Sequence, residues 1–268
     1  MSAFLSINNK KIYYTDQGKG FPIVLLHGYL ESLFVWKDFA RQLSSNYRVI
    51  AFDIPGHGKS ETILARHTME ILAEQIYLAL KALGIKHCFI IGHSMGGYVT
   101  LMFHHLYPDL LSGFSLFHSH PFADTEDTKK KRRREIELVK SGKKDILAKI
   151  NIPNAFAPKN LVALKNEVEK AKLIALQTSD IGIIANLHAM MNRPDFSDEI
   201  AKIDKKFLLI AGKYDNYIPF NTIIPKIKLP KNSEFCVLEN SGHMGFIEEK
   251  EKAVQCIGRF LSHFQKDN

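Results

Sequence analysis

The chain has 268 residues, with few cysteines and no long apolar run. Cys88, Cys236 and Cys256 lie within apolar segments without CxxC spacing, so we expect buried thiols rather than a disulfide or a metal site. No segment reaches the roughly eighteen uncharged apolar residues of a membrane-spanning helix. The first residues also lack the basic and apolar regions of a signal peptide. The sequence therefore predicts a cytoplasmic protein that does not span a membrane.

The excess of positive charge is concentrated in one run. The formal net charge is +8, and residues 129–134 are six consecutive basic residues. Such a run is found both in nucleic-acid-binding surfaces and on exposed faces of helices. Because no aromatic residues are interleaved with the basic ones, we favour the exposed helix face and expect no nucleic-acid partner.

Apolar segments rich in β-branched residues alternate with segments of helical periodicity. This alternation is typical of a parallel sheet with crossover helices, and the chain length suits a single core. The predicted strands are residues 4–7 and 11–15, joined by a turn at Asn8-Asn9, followed by 22–26, 48–52, 88–91, 113–117, 207–211 and 235–238. The predicted helices are residues 34–43, 68–83, 94–107 and 248–264.

Residues 119–203 interrupt this alternation. They are charged and helix-forming, are broken by several prolines and contain no convincing strand. We interpret them as a helical lid inserted after the sixth strand. Residues 1–118 and 204–268 would then form one core domain.

The segment Gly92-His93-Ser94-Met95-Gly96 follows an apolar run and precedes a predicted helix. A serine on a sharp strand-to-helix turn has a strained backbone and an exposed hydroxyl, and glycines two residues away on either side leave room for the turn. Glycine-rich turns also bind phosphate or simply pack closely. The flanking strand and helix favour Ser94 as a catalytic nucleophile.

A serine hydroxyl needs a base, and the base needs an acceptor that fixes its tautomer. In a sheet of this kind the base is expected after the last strand, which leaves His243 and His263 among the twelve histidines. His263 falls in the predicted closing helix, whereas His243 lies in a glycine-flanked loop. We therefore predict His243 as the base.

The acid is expected at the carboxyl end of a neighbouring strand. Asp215 follows the strand at residues 207–211 and meets this requirement. Asp204 precedes the same strand and would lie at the opposite end of the sheet. Glu239 is the second candidate, although a surface or helix-capping role suits it better.

Backbone groups beside the nucleophile are expected to bind the oxygen on which negative charge develops. The N–H of Met95 and that of Tyr29, in the turn after the first parallel strand, are the two candidates. His57, His93, His118 and His120 show no two-histidine-plus-carboxylate spacing. We therefore expect no metal and no cofactor.

Five motifs together resemble those of the α/β-hydrolase superfamily. They are the oxyanion turn at residues 27–29, the loop at 53–60, the elbow at 92–97, the acid turn at 212–219 and Gly242-His243. The resemblance covers nearly the whole chain outside residues 119–203. It implies a mostly parallel, eight-stranded sheet flanked by helices, with Ser94, Asp215 and His243 as catalytic triad. The serine argues against haloalkane dehalogenases and epoxide hydrolases, whose nucleophile is a carboxylate.

The resemblance implies a serine hydrolase that cleaves a small carboxylic ester, lactone or thioester through an acyl-enzyme. Carbon–carbon bond hydrolases and hydroxynitrile lyases share the scaffold and remain alternatives, as does a slow-turnover ligand receptor that keeps the triad. The sequence does not indicate an oligomeric state. Apolar side chains around the site are candidates for substrate contacts, although each also suits the core. They are Phe34, Phe122, Phe156, Met190, Tyr217 and Phe246.

Overall fold

Eight strands form one sheet in the computed structural model, which describes residues 1–262. Their order across the sheet is β1-β2-β4-β3-β5-β6-β7-β8. The first two strands are antiparallel to their neighbours, and the other six are mutually parallel. The prediction of a mostly parallel, eight-stranded sheet is confirmed. The strands are β1 (Ser2–Ile7), β2 (Lys10–Gln17), β3 (Pro22–Leu26), β4 (Arg48–Phe52), β5 (Cys88–His93), β6 (Leu111–Phe117), β7 (Lys206–Gly212) and β8 (Ser233–Leu238).

The predicted turn between β1 and β2 is present and has a local cause. Asn8 and Asn9 have φ angles of 49° and 61°, the left-handed conformation that a tight hairpin turn requires at both central residues. Asparagine tolerates this conformation better than most residues. The pairing of Ile7 with Lys10 follows from the two-residue turn.

Helices flank the sheet. The predicted helix at residues 34–43 consists of a 3₁₀ turn (Leu33–Trp36) followed by α1 (Lys37–Leu43). The other α-helices outside residues 119–203 are α2 (Met69–Ala82), α3 (Met95–Leu106), α9 (Phe220–Ile223), α10 (Gly245–Glu248) and α11 (Lys250–Ser262). The predicted closing helix is therefore divided at Glu249, and its last part, with His263, lies outside the described residues. No helix within residues 1–262 is long and apolar enough to cross a bilayer.

All regular secondary structure between β6 and β7 is helical. It contains α4 (Glu126–Lys140), α5 (Lys144–Ala155), α6 (Lys165–Gln177), α7 (Asp180–Met191) and α8 (Ser197–Ile200). We call residues 119–203 the insertion. Its role as a lid and the domain boundaries at its ends stay predictions.

The basic run lies on α4, where most of its charges are paired. Contacts of 2.5–3.7 Å join four of the six cations to carboxylates of the same segment. The pairs within α4 are typical of a solvated helix, whereas Arg132 pairs with the buried Asp124, which precedes the helix. The four paired residues are Lys129, Lys130, Arg132 and Arg133.

The expectation of three free thiols is wrong for two of them. Cys236 on β8 and Cys256 on α11 form a disulfide, with their Cα atoms 6.5 Å apart. The two residues are 20 positions apart and meet only because α11 packs against β8. The spacing of the cysteines in the sequence does not predict this contact. Cys88 is a buried free thiol, as expected.

Candidate active site

The nucleophile candidate occupies the turn between β5 and α3. Ser94 has φ 49° and ψ −114°, a conformation that is strained for a residue with a side chain, and its side chain is partly exposed. A Cβ on Gly92 would collide with Thr100 Oγ1, and one on Gly96 would collide with the Leu26 carbonyl oxygen. The two glycines are therefore required by the close packing of the turn.

The base and acid candidates are in direct contact. Nδ1 of His243 donates to Oδ2 of Asp215 over 2.7 Å, and both side chains are buried. Oδ1 of Asp215 accepts from the backbone N–H groups of Tyr217 and Ile218 at 2.8 and 2.9 Å. These bonds fix the carboxylate and leave Nε2 of His243 as the free ring nitrogen. Such a pair is suited to take a proton from an alcohol.

The electrostatics of the pair favour charge separation. Burial raises the pKa of Asp215, but the charge of His243 and the hydrogen bonds from His118 and His243 outweigh burial and hold it below its usual range. Burial lowers the pKa of His243, but the charge and hydrogen bond of Asp215 outweigh burial and hold it above its usual value. The two shifts are opposite in direction, and each favours the charged form of its group. Asp215 is therefore ionised at neutral pH and stabilises a protonated His243.

The third contact of the predicted triad is not formed in this structure. The hydroxyl of Ser94 has no hydrogen-bond partner among residues 1–262. Its chain neighbour His93 lies against the base, with ring centres 4.8 Å apart and with Nε2 donating to the His243 carbonyl oxygen over 2.9 Å. Hydrogen bonds of catalytic groups commonly tighten only when substrate binds.

Two backbone donors beside Ser94 are unused. The N–H groups of Tyr29 and Met95 have no acceptor within the described part of the chain, although Met95 is fully buried at the start of α3. The next N–H after Tyr29, that of Leu30, donates to His57 Nε2 at 3.3 Å. Unpaired N–H groups at such a turn are suited to bind an oxyanion.

Sequence reasoning missed the contact of His118 with Asp215. His118 directly follows β6 with φ 47°, is buried, and has Nδ1 3.3 Å from Asp215 Oδ2. Its Nδ1 also faces the Gly212 N–H at 3.1 Å, and its Nε2 accepts from the Gly245 N–H at 3.2 Å. A proton on Nδ1 satisfies Asp215 and Gly245, whereas a proton on Nε2 satisfies only Gly212. We therefore assign the Nδ1–H tautomer.

The contact of His118 with Asp215 also creates a grouping that the sequence spacing did not reveal. His118, Asp215 and His243 offer ligand atoms within 4.8 Å of one another, which is a two-histidine-plus-carboxylate set. Their mutual hydrogen bonds and the backbone donors around them already satisfy these atoms. The expectation that no metal is bound stays a prediction.

The other acid candidates do not contact the base. Glu239 pairs with Lys213 at 3.1 Å and is exposed, which agrees with a surface role. Asp204 lies before β7, where its carbonyl oxygen accepts from Asn232 at 3.2 Å. The structure therefore brings Asp215, and not these residues, to His243.

The predicted substrate contacts occupy different places. The ring of Tyr217 lies 5.2 Å from that of His243 and is 42% exposed. Phe34 and Phe246 line a groove of about 420 Å³ between α1 and α6, and the buried ring of Phe246 also packs on Trp36 and His93. A substrate-binding role stays a prediction for these residues.

The remaining three candidates belong to the insertion. Phe122 stacks on His120, with ring centres 5.6 Å apart. Phe156 is buried at the end of α5, and Met190 is buried on α7, where its carbonyl oxygen accepts from Arg193 at 2.9 Å. Their role in substrate binding also stays a prediction.

The end of α5 is hydrogen-bonded both to the acid turn (residues 212–219) and to residues 239–244, the loop that carries His243, which we call the base loop. The carbonyl oxygen of Ala155 accepts from the His243 N–H at 2.6 Å. The carbonyl of Asn151 accepts from the Tyr217 hydroxyl at 2.8 Å, and that of Asn154 accepts from the Asn216 side chain at 3.1 Å. The insertion therefore contacts the loops that carry His243 and Asp215 directly.

Comparison with known proteins agrees with this fold. The chain matches the model of the alpha/beta hydrolase fold family over residues 22–139. It is similar to a thermophilic esterase from Thermogutta terrifontis, solved with malate bound, with a TM-score of 0.93, 26% identity and 98% of each chain covered. The chain belongs to the α/β-hydrolase superfamily. Ser94 lies on the turn between β5 and α3, where the sequence motif predicted the nucleophile elbow.

Similar proteins of known name differ in their reactions. This α/β-hydrolase is 25% identical to a 2-succinyl-6-hydroxy-2,4-cyclohexadiene-1-carboxylate synthase of Enterobacter sp. (strain 638), over 94% of its own length and 97% of the relative's. It is 26% identical to 2-hydroxy-6-oxononadienedioate/2-hydroxy-6-oxononatrienedioate hydrolase 2 of Pseudomonas putida, over 94% and 92% respectively. The chain is a hydrolase of the α/β fold, within a group whose members act on different bonds.

Proposed function

We propose that this chain is a serine hydrolase that cleaves small carboxylic esters, lactones or thioesters through an acyl-enzyme. The observations that carry the proposal are the 2.7 Å hydrogen bond from His243 to the buried Asp215 and the position of Ser94 on a strained turn whose preceding residue, His93, packs against His243. An ionised acid that orients a histidine beside a partly exposed serine is the arrangement needed to activate a hydroxyl.

In the proposed reaction Nε2 of His243 accepts the proton of the Ser94 hydroxyl while the oxygen attacks the ester carbonyl. The N–H groups of Tyr29 and Met95 bind the oxyanion of the tetrahedral intermediate. His243 then donates its proton to the leaving alcohol, and the acyl-enzyme remains. Water, activated by His243, releases the acid product and restores the serine. Asp215 stays ionised throughout.

A panel of p-nitrophenyl esters from acetate to palmitate tests the proposal. We expect wild-type protein to turn over the short esters and Ser94→Ala to lose activity by about 10³-fold or more, with unchanged circular dichroism. Ser115→Ala is the matched control, because the Ser115 hydroxyl is buried in β6 without a hydrogen-bond partner. A Ser94→Ala variant that keeps more than about a tenth of wild-type activity would contradict the proposal.

Cleavage of a carbon–carbon bond is the second candidate function. It is favoured by the similarity to the hydrolase of Pseudomonas putida, whose named substrates are oxo-dicarboxylates. Under this alternative the ester panel gives no turnover, whereas 2-hydroxy-6-oxononadienedioate is consumed by wild type and not by Ser94→Ala. If the protein is instead a ligand receptor, it turns over both substrates only very slowly. The cytoplasmic location and the absence of a nucleic-acid partner remain predictions.

A further inference from the structure

A second buried carboxylate–imidazole pair lies beside the proposed triad. Nδ1 of His93 is 3.0 Å from Oε2 of Glu31, and the two side chains are 0% and 6% exposed. Glu31 follows β3, whereas His93 is the last residue of β5, so the pair joins two neighbouring strand ends. The mechanism proposed above uses neither side chain. A buried ionisable pair of this kind needs an explanation, because moving two charges out of water is costly.

The pair connects three loops of the site. Oε2 of Glu31 accepts from the Gly28 N–H at 2.7 Å, and Nε2 of His93 donates to the His243 carbonyl oxygen at 2.9 Å. Gly28 precedes Tyr29, one of the two proposed oxyanion donors. His93 precedes the nucleophile Ser94. One chain of hydrogen bonds thus runs from the oxyanion turn through the elbow to the base.

The hydrogen-bond partners fix the protons of the pair. A carbonyl oxygen only accepts, so Nε2 of His93 carries a proton. Nδ1 faces a carboxylate oxygen that already accepts from Gly28. Burial raises the pKa of Glu31, but the charge of His93 and the hydrogen bonds from His93 and Gly28 outweigh burial and hold it below its usual value. Glu31 is therefore ionised, and both ring nitrogens of His93 face acceptor oxygens, those of the Glu31 carboxylate and the His243 carbonyl.

In its apolar surroundings, each charge of the Glu31–His93 pair is stabilised by the other. Apolar rings flank the His93 imidazole, with centres 4.9–6.3 Å away, and belong to Trp36, Phe117 and Phe246. Removing one member of a buried ion pair leaves an uncompensated charge in a medium of low polarity. The titratable groups that interact with His93 or lie against it are Glu31, His27, His118 and His243.

We propose that Glu31 and His93 are positioning residues, an ion-paired clamp that holds the oxyanion turn and the base loop in alignment with Ser94. The clamp acts through the Gly28 N–H and the His243 carbonyl, and neither side chain touches the reacting atoms. Its kinetic consequence rests on the proposed function. Its protonation state does not.

Nuclear magnetic resonance of ¹⁵N-histidine-labelled protein tests the protonation state. At neutral pH we expect both ring nitrogens of His93 to carry protons, with the signals assigned by their loss in His93→Asn. In Glu31→Gln the amide keeps an acceptor for Gly28 but removes the charge, so the Nδ1–H signal of His93 should disappear. Glu61→Gln is the control, because Glu61 also accepts a backbone N–H, at 2.6 Å from Lys11, and is exposed.

Steady-state kinetics on the best ester tests the positioning role. We expect Glu31→Gln to lower kcat by roughly 10-fold or more and to change KM by less than about 3-fold, because a displaced oxyanion donor weakens transition-state binding. The double variant Glu31→Gln/His93→Asn should be no worse than the poorer single variant, since the two residues act as one unit. Glu61→Gln should keep wild-type kcat.

The outcomes are separable. A singly protonated His93 in wild type, or an Nδ1–H signal that survives in Glu31→Gln, would overturn the ion pair. Wild-type kcat in Glu31→Gln, or additive losses in the double variant, would overturn the positioning role. If wild type hydrolyses no ester, the proposed function fails, and the kinetic arm moves to 2-hydroxy-6-oxononadienedioate. If neither substrate is turned over, the positioning role falls with the function, and the resonance experiment decides the ion pair alone.

Discussion

His118 and His243 share one carboxylate oxygen of Asp215. Nδ1 of His243 lies 2.7 Å and Nδ1 of His118 lies 3.3 Å from Oδ2, while two backbone N–H groups bind Oδ1. Burial lowers the pKa of His118 to about 4, so the ring is neutral near neutral pH and donates without adding a charge. The carboxylate is thus surrounded by His243, two backbone N–H groups and the ring of His118, and His118 is the side chain among them that the sequence analysis did not identify.

Loss of this donor should slow catalysis. We expect His118→Asn, whose side chain tolerates the positive φ but is too short to replace the ring, to lower kcat about 10-fold, because residues that support a catalytic group contribute effects of this size. His105→Asn, at an exposed histidine, is the matched control and should keep wild-type kcat. Steady-state kinetics on the best ester measures both. Equal kcat in the His118 variant and the control would show that the contact with Asp215 is dispensable.

The same residue should make stability depend on pH. The pKa of His118 is about 4 in the folded protein and about 6.5 in the unfolded chain. Between these values the unfolded chain binds a proton that the folded protein does not, so the free energy of unfolding falls as pH falls from about 6.5 to about 4. Integrated from about pH 7 to about pH 5, His118 contributes about 2 kcal/mol to this decline.

Urea unfolding at the two pH values measures the effect. His118→Asn should lose about 2 kcal/mol less stability than wild type over this interval, whereas His105→Asn should decline as wild type does. A decline in His118→Asn as steep as that of wild type would mean that His118 titrates normally in the folded protein.

Replacing each of the three candidate acids in turn should show which carboxylate orients His243. We expect Asp215→Asn to reduce kcat by about 10⁴-fold, because the amide no longer stabilises the protonated base or fixes its tautomer. Asp204→Asn and Glu239→Gln should remain within about 2-fold of wild type, since neither side chain contacts His243. Kinetics on the same ester compares all three. A comparable loss of kcat in Glu239→Gln would contradict the assignment of the acid role to Asp215.

Reduction of the disulfide should destabilise the fold. Cys236 and Cys256 close a loop across 20 positions of sequence, and release of such a loop restores chain entropy worth about 3 kcal/mol to the unfolded state. Urea unfolding with and without a phosphine reductant measures this difference in wild type. The double variant Cys236→Ser/Cys256→Ser should show no response to reductant. An equal response of both proteins to the reductant would show that the loss of stability does not come from the disulfide.

Features that depend on local sequence were predictable. The apolar runs of β3 and β5 identify buried parallel strands because each run is continuous and short. The turn at Ser94 was predictable because the collisions that exclude side chains at Gly92 and Gly96 arise within one strand–turn–helix unit and its neighbouring strand. Chain order then identified His243 and Asp215, because both follow strands that end at the same edge of the sheet.

Features that depend on packing between distant segments were not predictable. Glu31 and His93 are 62 positions apart, and their contact exists only because β3 and β5 are neighbours in the sheet. The disulfide depends in the same way on the packing of α11 against β8. For His118 a signal did exist: it directly follows β6 and precedes the insertion, at the edge of the sheet that carries Ser94.

The hydrogen bonds from the end of α5 have a consequence for protein engineering. A chimera that replaces residues 119–203 with the corresponding segment of a relative also replaces the carbonyl groups that bind the His243 N–H and the Tyr217 hydroxyl. Exchange of this segment therefore also changes the hydrogen bonds that position the base. A graft intended to change only the substrate preference needs to retain residues 151–157 of the host, or to transfer the acid turn and the base loop with the donor segment.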